Sequence, residues 1–425
     1  MNVHFMCRIV VLLLFLSLDS TSLAELASLE HVRIVIDKEV VVASKERTPF
    51  ARNMAMGPDG TIWINSSNVQ GGYPDNVLYK STDQGQTWTW ILLDFPASEP
   101  NCKPQQDIAG FTVTRDGRLW IAHQSCPQDN NNNHLKAYVS YSEDAGQSWT
   151  TTSIDYGSFS PGAPEDPYVS MSFMGCHPNF LELPDGTLMV SASMRYPDWN
   201  YWDQVDQTRP GIRDVMIRTT DGGKTWTDPT IVHQHATETA CIVDPENPAH
   251  ILTATRIQRL ALPGEDPEAV RKITGSYGQP YVYKNGLLLE STDAGRTFQE
   301  VPGGLFGFYS YRWAAVWTED NVVGLFGVAG QDVGQSKMDD SLVARISLDG
   351  GRTWIDGTSH GTTAPNKATK FTLVPDLPGN DPSPLATTVY LGTNRFLSTG
   401  AYKRNTAQGD KTLRAIFWHL DGLPQ

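Results

Sequence analysis

The sequence predicts an all-β protein made of repeated antiparallel units, and three observations lead to this fold class. The 425-residue chain has 36 Gly, 27 Pro and 12 Trp but only 19% charged residues, a composition typical of turn-rich sheets. One octapeptide recurs five times along the chain, and six apolar hairpins are interleaved with it. Because 40% of the residues are hydrophobic, the chain can bury a large core, which excludes disorder over most of its length.

The charge balance excludes one class of partner. The chain carries 33 Lys and Arg against 47 Asp and Glu, a net charge of −14. Affinity for a phosphate backbone depends on basic surface, so nucleic acid is not expected as a partner. The sequence also lacks a phosphate-binding loop, a dinucleotide-binding fingerprint and a G-x-S-x-G elbow, and we expect no cofactor.

The N-terminal segment, residues 1–24, has the pattern of a secretory signal. A basic start precedes an apolar run over Ile9–Leu18 and a small-residue cleavage site at Ser22–Ala24. A membrane anchor needs about 18–20 apolar residues, and Asp19 ends this run earlier. We therefore expect a secreted protein, extracellular or periplasmic, without a membrane span. Residues 25–425 are expected to form one domain, acting as a monomer.

The cysteine pattern fits an oxidising compartment. Removal of the signal takes Cys7 with it and leaves Cys102, Cys126, Cys176 and Cys241, an even set with three possible pairings. Cys102 and Cys126 flank one predicted hairpin, so they form the preferred disulfide. None of the cysteines has the spacing of zinc ligands, and no metal site is predicted.

The repeated octapeptide has the pattern S/T-x-D-x-G-x-T/S-W/F, and each conserved letter has a physical role. The Asp accepts backbone N–H groups across a turn, the Gly adopts a positive φ, the Ser or Thr closes the loop, and the aromatic residue packs between sheets. One acidic residue per loop is too few for calcium, which favours a structural role. The five copies are Ser81–Trp88, Ser142–Trp149, Thr219–Trp226, Ser291–Phe298 and Ser347–Trp354.

This pattern is the Asp-box, and through it the chain resembles the sialidase (neuraminidase) superfamily of BNR-repeat β-propellers. The resemblance implies a propeller, and the six hairpins predict six four-stranded blades. The sixth blade lacks a box, and its outer strand is either Val32–Val42 or Leu413–Leu420, which would close the ring. The hairpins are Asn53–Ser66, Asp107–Ala122, Asn179–Ser193, Thr239–Thr255, Trp313–Ala329 and Phe371–Thr393.

Strand direction separates the two faces of the predicted disc. The short hairpin turns and the Asp-boxes fall on one face, and the long connections on the other, where function is expected. Three arginines from separate blades, Arg52, Arg256 and Arg312, could converge on one carboxylate, which guanidinium groups bind well. The polar residues expected around the pocket are Arg52, Gln106, Asp107, His123, His177, Arg195, Glu238, Arg256, Tyr311 and Arg312.

The resemblance also implies roles for individual residues. It points to Asp75 as the acid/base, to Glu238 as the base that activates a tyrosine nucleophile, and to the three arginines as a carboxylate clamp. The implied reaction is exo-acting, retaining hydrolysis of an acidic glycan such as a sialoside. The family's tyrosine position near the last blade has no clear counterpart, and Tyr311 or Tyr309, next to Arg312, is the candidate substitute.

Two other functions are open from the residues alone. A polysaccharide lyase acting on a uronic acid would use a base such as His177, with His123, Arg195 and a nearby tyrosine in the same pocket. A non-catalytic carbohydrate-binding propeller would use the aromatic loop Arg195–Trp202, whose rings can stack on sugar faces.

Overall fold

The protein is an all-β propeller of six antiparallel sheets, which confirms the predicted fold class. The computed structural model describes residues 32–43, 49–68, 76–93, 107–125, 136–155, 170–173, 179–195, 212–259, 264–266, 283–306, 308–332, 342–354, 371–374, 387–402 and 412–423. Within these ranges there is no helix with the length and hydropathy to cross a membrane. The predicted signal, residues 1–24, lies outside the described residues.

Each blade runs from an inner strand to an outer one. The first described strand is β1 (Arg33–Ala43), and it belongs to the last blade. Blade 1 contains β2 (Pro49–Met56), β3 (Ile62–Asn68), β4 (Asn76–Ser81) and β5 (Thr89–Leu92). Blade 2 contains β6 (Asp107–Val113), β7 (Leu119–Ser125), β8 (Lys136–Ser142) and β9 (Thr150–Ser153). Blade 3 contains β10 (Ser170–Ser172), β11 (Phe180–Glu182), β12 (Leu188–Arg195), β13 (Ile212–Thr219) and β14 (Thr227–His233).

The second half of the ring follows the same plan. Blade 4 contains β15 (Ala236–Val243), β16 (Ile251–Arg259), β17 (Tyr283–Ser291) and β18 (Gln299–Leu305). Blade 5 contains β19 (Phe308–Trp317), β20 (Val323–Asp332), β21 (Leu342–Ser347) and β22 (Phe371–Val374). Blade 6 contains β23 (Thr387–Gly392), β24 (Arg395–Tyr402) and β25 (Thr412–Asp421), with β1 as its outer strand.

The sixth blade corrects one sequence prediction. Phe371–Val374 does not open a hairpin of blade 6, because it pairs with β21 as the outer strand of blade 5. The hairpin of blade 6 turns instead at Thr393 and Asn394, both with positive φ. A long segment separates the fifth box from Phe371, so the pairing of Phe371–Val374 with blade 5 could not be predicted from the sequence spacing. Both segments proposed to close the ring take part, with residues 33–43 as the outer strand and residues 412–421 as the third.

Apolar clusters between neighbouring blades form the core. Between blades 2 and 3, for example, Trp120 packs edge-on against Trp226 at 6.3 Å between ring centroids, and Trp226 also contacts Phe180. Between blades 5 and 6, Phe326 packs edge-on against Trp418 at 5.7 Å between ring centroids, and Trp418 also stacks on Phe396 of its own blade. Side chains alternate along each strand, so every blade presents one apolar face to each neighbour.

The five Asp-boxes share one set of hydrogen bonds, which confirms their structural role. In blade 1, Asp83 Oδ1 accepts from the backbone N–H groups of Gln86 at 3.0 Å and Thr87 at 2.9 Å, and Oδ2 accepts from Thr87 Oγ1 at 2.6 Å. Ser81 Oγ donates to Asp83 and accepts from Gly85 N at 2.8 Å. These bonds lower the pKa of Asp83 to about 2, led by the Thr87 hydroxyl.

Each box also docks on the blade that precedes it. The five box glycines have a positive φ, and at Gly146, Gly223 and Gly351 a side chain would collide with the preceding blade. A Cβ on Gly223 would lie 2.5 Å from the Trp120 ring of blade 2, and one on Gly351 would lie 2.6 Å from Leu252 of blade 4. The boxes therefore join neighbouring blades as well as capping their own sheets.

Strand register confirms the assignment of the two faces. Ile62 pairs with Met56 across the first hairpin turn of blade 1, and also with Ser81 at the start of its box. The hairpin turn and the box therefore lie on the same face. The opposite ends of the inner strands, where the candidate site residues occur, lie on the other face.

Candidate active site

The inner strands of several blades lose their regular pairing at the same distance from the hairpin turn, toward the face opposite the boxes. In blades 1, 2, 4 and 5 four regular pairs follow the hairpin turn, and a one-residue bulge then interrupts the ladder. The bulges involve Arg52, Ala109, Glu238 with Thr239, and Arg312 with Trp313. Such bulges re-aim side chains and are frequent next to active sites.

Blades 3 and 6 differ from this pattern. In blade 3 the inner strand is split at the same height into β10 and β11, and Asn179 O restores the pairing by accepting from Ser191 N at 2.8 Å. In blade 6 the pairs from Thr387 to Tyr390 stay regular. Since inner strands of neighbouring blades contact each other, the breaks surround one region on the propeller axis.

Buried amides support the breaks in the first three blades. Asn65 Oδ1 accepts from Asn53 N at 2.6 Å, next to the bulge at Arg52. Gly110, next to the bulge of blade 2, leaves space for the buried Asn179 side chain of blade 3, whose Nδ2 would lie 2.4 Å from a Cβ. A side chain at position 110 would therefore collide with the Asn179 side chain.

Glu238 has the most unusual backbone in this ring. Its φ is +61°, within a strand, whereas the other non-glycine residues with positive φ in the described part of the chain lie in box loops, hairpin turns or the start of β14. Such a conformation costs about 1–3 kcal/mol and persists only where the surroundings enforce it. The Glu238 side chain is nearly buried, with 6% exposed.

Arg256 holds this conformation from the adjacent strand. Its Nη1 lies 2.9 Å from Glu238 Oε2, and its Nε donates to Thr237 Oγ1 at 2.9 Å. The Arg256 side chain is 5% exposed, so the ion pair is buried. The predicted juxtaposition of Glu238 and Arg256 at one end of a hairpin is confirmed, because Thr237 and Arg256 are paired across β15 and β16.

Asp214 of blade 3 is a buried acid that the sequence analysis did not identify. Its carboxylate accepts from Ser193 Oγ within blade 3 and from Thr239 Oγ1 in the bulge of blade 4. Burial raises the pKa of Asp214 to about 6 and the charge of Glu238 adds to the rise, while the two hydroxyls and Arg256 oppose it. Aspartate is disfavoured within a strand, and its position in β13 was the available signal.

Several predicted site residues are described only through their backbones. Arg52 and Arg312 occupy bulges of the ring, Tyr311 is paired with Val328 next to the bulge of blade 5, and Arg195 ends β12 opposite Ser170. Three other predicted site residues lie outside the described residues: Asp75, Gln106 and His177. Cys102 and Cys126 also lie outside them, so the disulfide between these two cysteines stays a prediction.

The structure describes His123 as a buried residue of β7. It is 5% exposed, its ring stacks on Tyr138 at 5.5 Å, and its Nε2 is hydrogen-bonded to Ser140 Oγ at 2.8 Å. Its face of β7 also carries Ile121, which packs against blade 1. Burial lowers the pKa of His123 to about 3, so the imidazole is neutral at physiological pH. The role of His123 in the pocket stays a prediction.

Cys241 corrects the expectation drawn from the even number of cysteines. Its thiol is free and buried, and it accepts a hydrogen bond from Thr253 Oγ1 at 3.4 Å. Burial raises its pKa to about 12, so the thiol is unreactive. Cys241 takes no part in a disulfide, so Cys102, Cys126, Cys176 and Cys241 do not form two disulfides. Among the described residues, no group of three or more His, Cys, Asp and Glu is arranged to hold a metal ion.

Comparison with known proteins agrees with this architecture. A family model described as a BNR repeat-like domain matches residues 33–302. A structure of a protein of unknown function from Dyadobacter fermentans is similar at 17% identity and a TM-score of 0.58, with 91% of this chain and 99% of that chain covered. None of the curated protein sequences matches this chain.

Two similar structures are glycosidases. A Trypanosoma rangeli sialidase, solved as a covalent intermediate with 2,3-difluorosialic acid, has 14% identity and a TM-score of 0.55, with 89% of this chain and 54% of that chain covered. An α-L-arabinofuranosidase from Fusarium graminearum has 14% identity and a TM-score of 0.53, with 90% of this chain and 98% of that chain covered. At these identities the similarity shows the fold.

Proposed function

The chain belongs to the family of BNR repeat-like domains, with a sialidase-like propeller fold, and on that premise we propose that it is a secreted, exo-acting, retaining glycoside hydrolase of acidic glycans such as sialosides. The observation that carries the proposal is the buried Glu238–Arg256 pair in a left-handed bulge on the propeller axis. Strained backbone around a charged pair is typical of functional sites.

In the proposed mechanism Glu238 acts as a base. A carboxylate that faces a guanidinium at 2.9 Å is a proton acceptor, which suits the activation of a tyrosine hydroxyl. Tyr311 or Tyr309 is the proposed nucleophile, because blade 5 follows blade 4 and their inner strands contact each other. Asp75 is the proposed acid/base, which protonates the leaving oxygen and then activates water.

The arginines account for the preference for an acidic sugar. Arg52 and Arg312 occupy the same bulge height as Glu238 on other blades, and Arg256 adds a third guanidinium. In a chain of net charge −14, this local concentration of positive charge favours a carboxylate-bearing substrate. His177 and Arg195 are proposed to contact the rest of the glycan. The trapped intermediate of the trypanosomal sialidase supports a retaining reaction.

A substrate panel tests the proposed function. Purified protein is incubated with a fluorogenic α-sialoside, an α-L-arabinofuranoside, a β-glucuronide and a uronate polysaccharide. We expect release of the fluorophore from an acidic glycoside, with NMR showing that the first product keeps the substrate's anomeric configuration. Absorbance of an unsaturated uronate would replace the hydrolase with a lyase, and retention of a glycan without release would indicate a binding protein.

A pair of glutamate variants tests the site. Glu238→Gln should lower kcat by about 10²–10⁴-fold, the range for loss of a general base, while substrate binding is retained. Glu246→Gln is the matched control, because Glu246 is exposed in the hairpin turn of the same blade, on the face of the boxes. Equal activity of the two variants would remove Glu238 from the mechanism.

A further inference from the structure

The bulge that carries Glu238 is held from a second blade. Thr239, the residue after Glu238, donates its hydroxyl to Asp214 of β13, and its backbone carbonyl accepts from Ser191 Oγ of β12 at 3.2 Å. Both partners belong to blade 3, whereas Arg256 holds the preceding residues from within blade 4. The left-handed turn at Glu238 therefore lies between two anchors on different blades.

The Asp214 anchor is fully enclosed. Asp214 is 2% exposed, Thr239 2% and Ser193 1%, so none of these groups exchanges its partner for water. Thr239 Oγ1 also lies 2.8 Å from Thr255 Oγ1. Because Thr239 gives its only hydroxyl proton to Asp214, it is the acceptor in its contact with Thr255. The hydroxyls of Ser193, Thr239 and Thr255 thus form hydrogen bonds that converge on Asp214 from blades 3 and 4.

From this geometry we propose that Asp214 is a positioning residue for Glu238. It fixes Thr239 through a charge-assisted hydrogen bond, and Thr239 in turn holds the bulge in the conformation that presents the Glu238 carboxylate to the axis. The inference rests on the proposed function of Glu238, which it extends to a residue on the neighbouring blade. Asp214 itself is buried and does not contact the substrate.

The test removes the hydrogen bond between Thr239 and Asp214 by changing either the donor or the acceptor. Thr239→Val keeps the branched shape and removes the hydroxyl, and Asp214→Asn keeps the size and removes the charge. Thr239→Ser restores the hydroxyl. Thr253→Val is the matched control, because Thr253 is equally buried in the same blade but donates to Cys241 Sγ instead of Asp214. All four variants are made in the full chain, so that a folding failure of one leaves the others informative.

Two readouts are measured on each variant. The first is kinetic: Thr239→Val and Asp214→Asn should lower kcat by about 10²-fold, the usual effect of a misplaced catalytic group, with KM changed by less than about threefold. Thr239→Ser should recover activity to within about threefold of the original protein. Thr253→Val should keep kcat, because it loses a buried hydroxyl of the same kind outside the hydrogen bonds that converge on Asp214.

The second readout does not depend on activity. Hydrogen exchange resolved by mass spectrometry should show faster exchange at the amides of residues 238–240 in Thr239→Val and Asp214→Asn, but not in Thr253→Val. If the original protein hydrolyses none of the glycosides, the proposed function fails while the exchange comparison still decides whether Asp214 holds the bulge. The positioning role of Asp214 would be overturned if Thr239→Val had the same exchange rates and the same kcat as Thr253→Val.

Discussion

The Asp-box loops and the inner-strand bulges occupy opposite faces of the propeller, and they are stabilised by contacts of different range. Each box closes its hydrogen bonds within eight residues, so the same geometry recurs wherever the octapeptide occurs. The bulge at Glu238 depends on Arg256 from the adjacent strand and on Asp214 from the preceding blade. The hydrogen bonds of the repeated face are therefore local, whereas those of the face with the proposed site join different strands and blades.

The largest expected effect on stability comes from the bulge ring. Arg256→Met leaves Glu238 as a buried charge without its guanidinium, and breaking a buried pair in this way costs about 3–5 kcal/mol. The loss is measured as the change in the free energy of unfolding by urea. Combining it with Glu238→Gln should recover much of the loss, because the second substitution removes the uncompensated charge. Arg33→Met is the surface control, since the Arg33–Asp421 pair is largely exposed.

The second prediction concerns pH. The pKa of Asp214 is raised to about 6, so its contribution to stability is present below the unfolded value of 3.8 and is lost as pH rises through 6. Between pH 4 and pH 7 the original protein should lose about 2 kcal/mol relative to Asp214→Asn, which cannot ionise. Glu238, Arg256 and Cys241 also interact with Asp214, and His233 is paired with it across β13 and β14, so both proteins are titrated in parallel. Parallel pH profiles of the two proteins would show that Asp214 has an ordinary pKa.

The third prediction compares two glycines on the box face. Gly223 and Gly117 both have a positive φ, of 87° and 84°, but a Cβ at Gly223 would lie 2.5 Å from Trp120, while one at Gly117 would have no atom within 4 Å. Gly117→Ala should therefore cost about 1–2 kcal/mol for the backbone conformation alone. Gly223→Ala should cost about 1–3 kcal/mol more, because it overpacks the contact between blades 2 and 3. Equal losses in urea unfolding would mean that the box does not dock on the preceding blade.

The difference in range also explains what the sequence could predict. The boxes and the five correct hairpins follow from local turn chemistry, so the fold class and the two faces were predictable. The placement of Glu238 and Arg256 at the same end of one hairpin was predictable for the same reason. The bulges, the left-handed φ of Glu238 and the contact with Asp214 were not, because they arise from packing between blades that no local pattern encodes.

One prediction about the sixth blade was wrong. Phe371 was assigned to the wrong blade because a long connection separates it from the fifth box, and sequence spacing carries no information across such a connection. The sequence also predicts the position of His123 along β7, but alternate residues of a strand face opposite sides of the sheet, and local spacing does not decide which side His123 faces. Height along a strand can thus be predicted from the sequence more easily than the direction of the side chain.

The most direct test of this account compares one residue from each face. Glu238→Gln and Asp221→Asn are assayed on the hydrolysed substrate, at a temperature where both proteins are folded. Asp221 accepts four hydrogen bonds within its own box, so its loss should lower the melting temperature and leave kcat within about twofold. Glu238→Gln should lower kcat by about 10²–10⁴-fold. Similar values of kcat for the two variants would contradict the assignment of scaffold and active site to opposite faces.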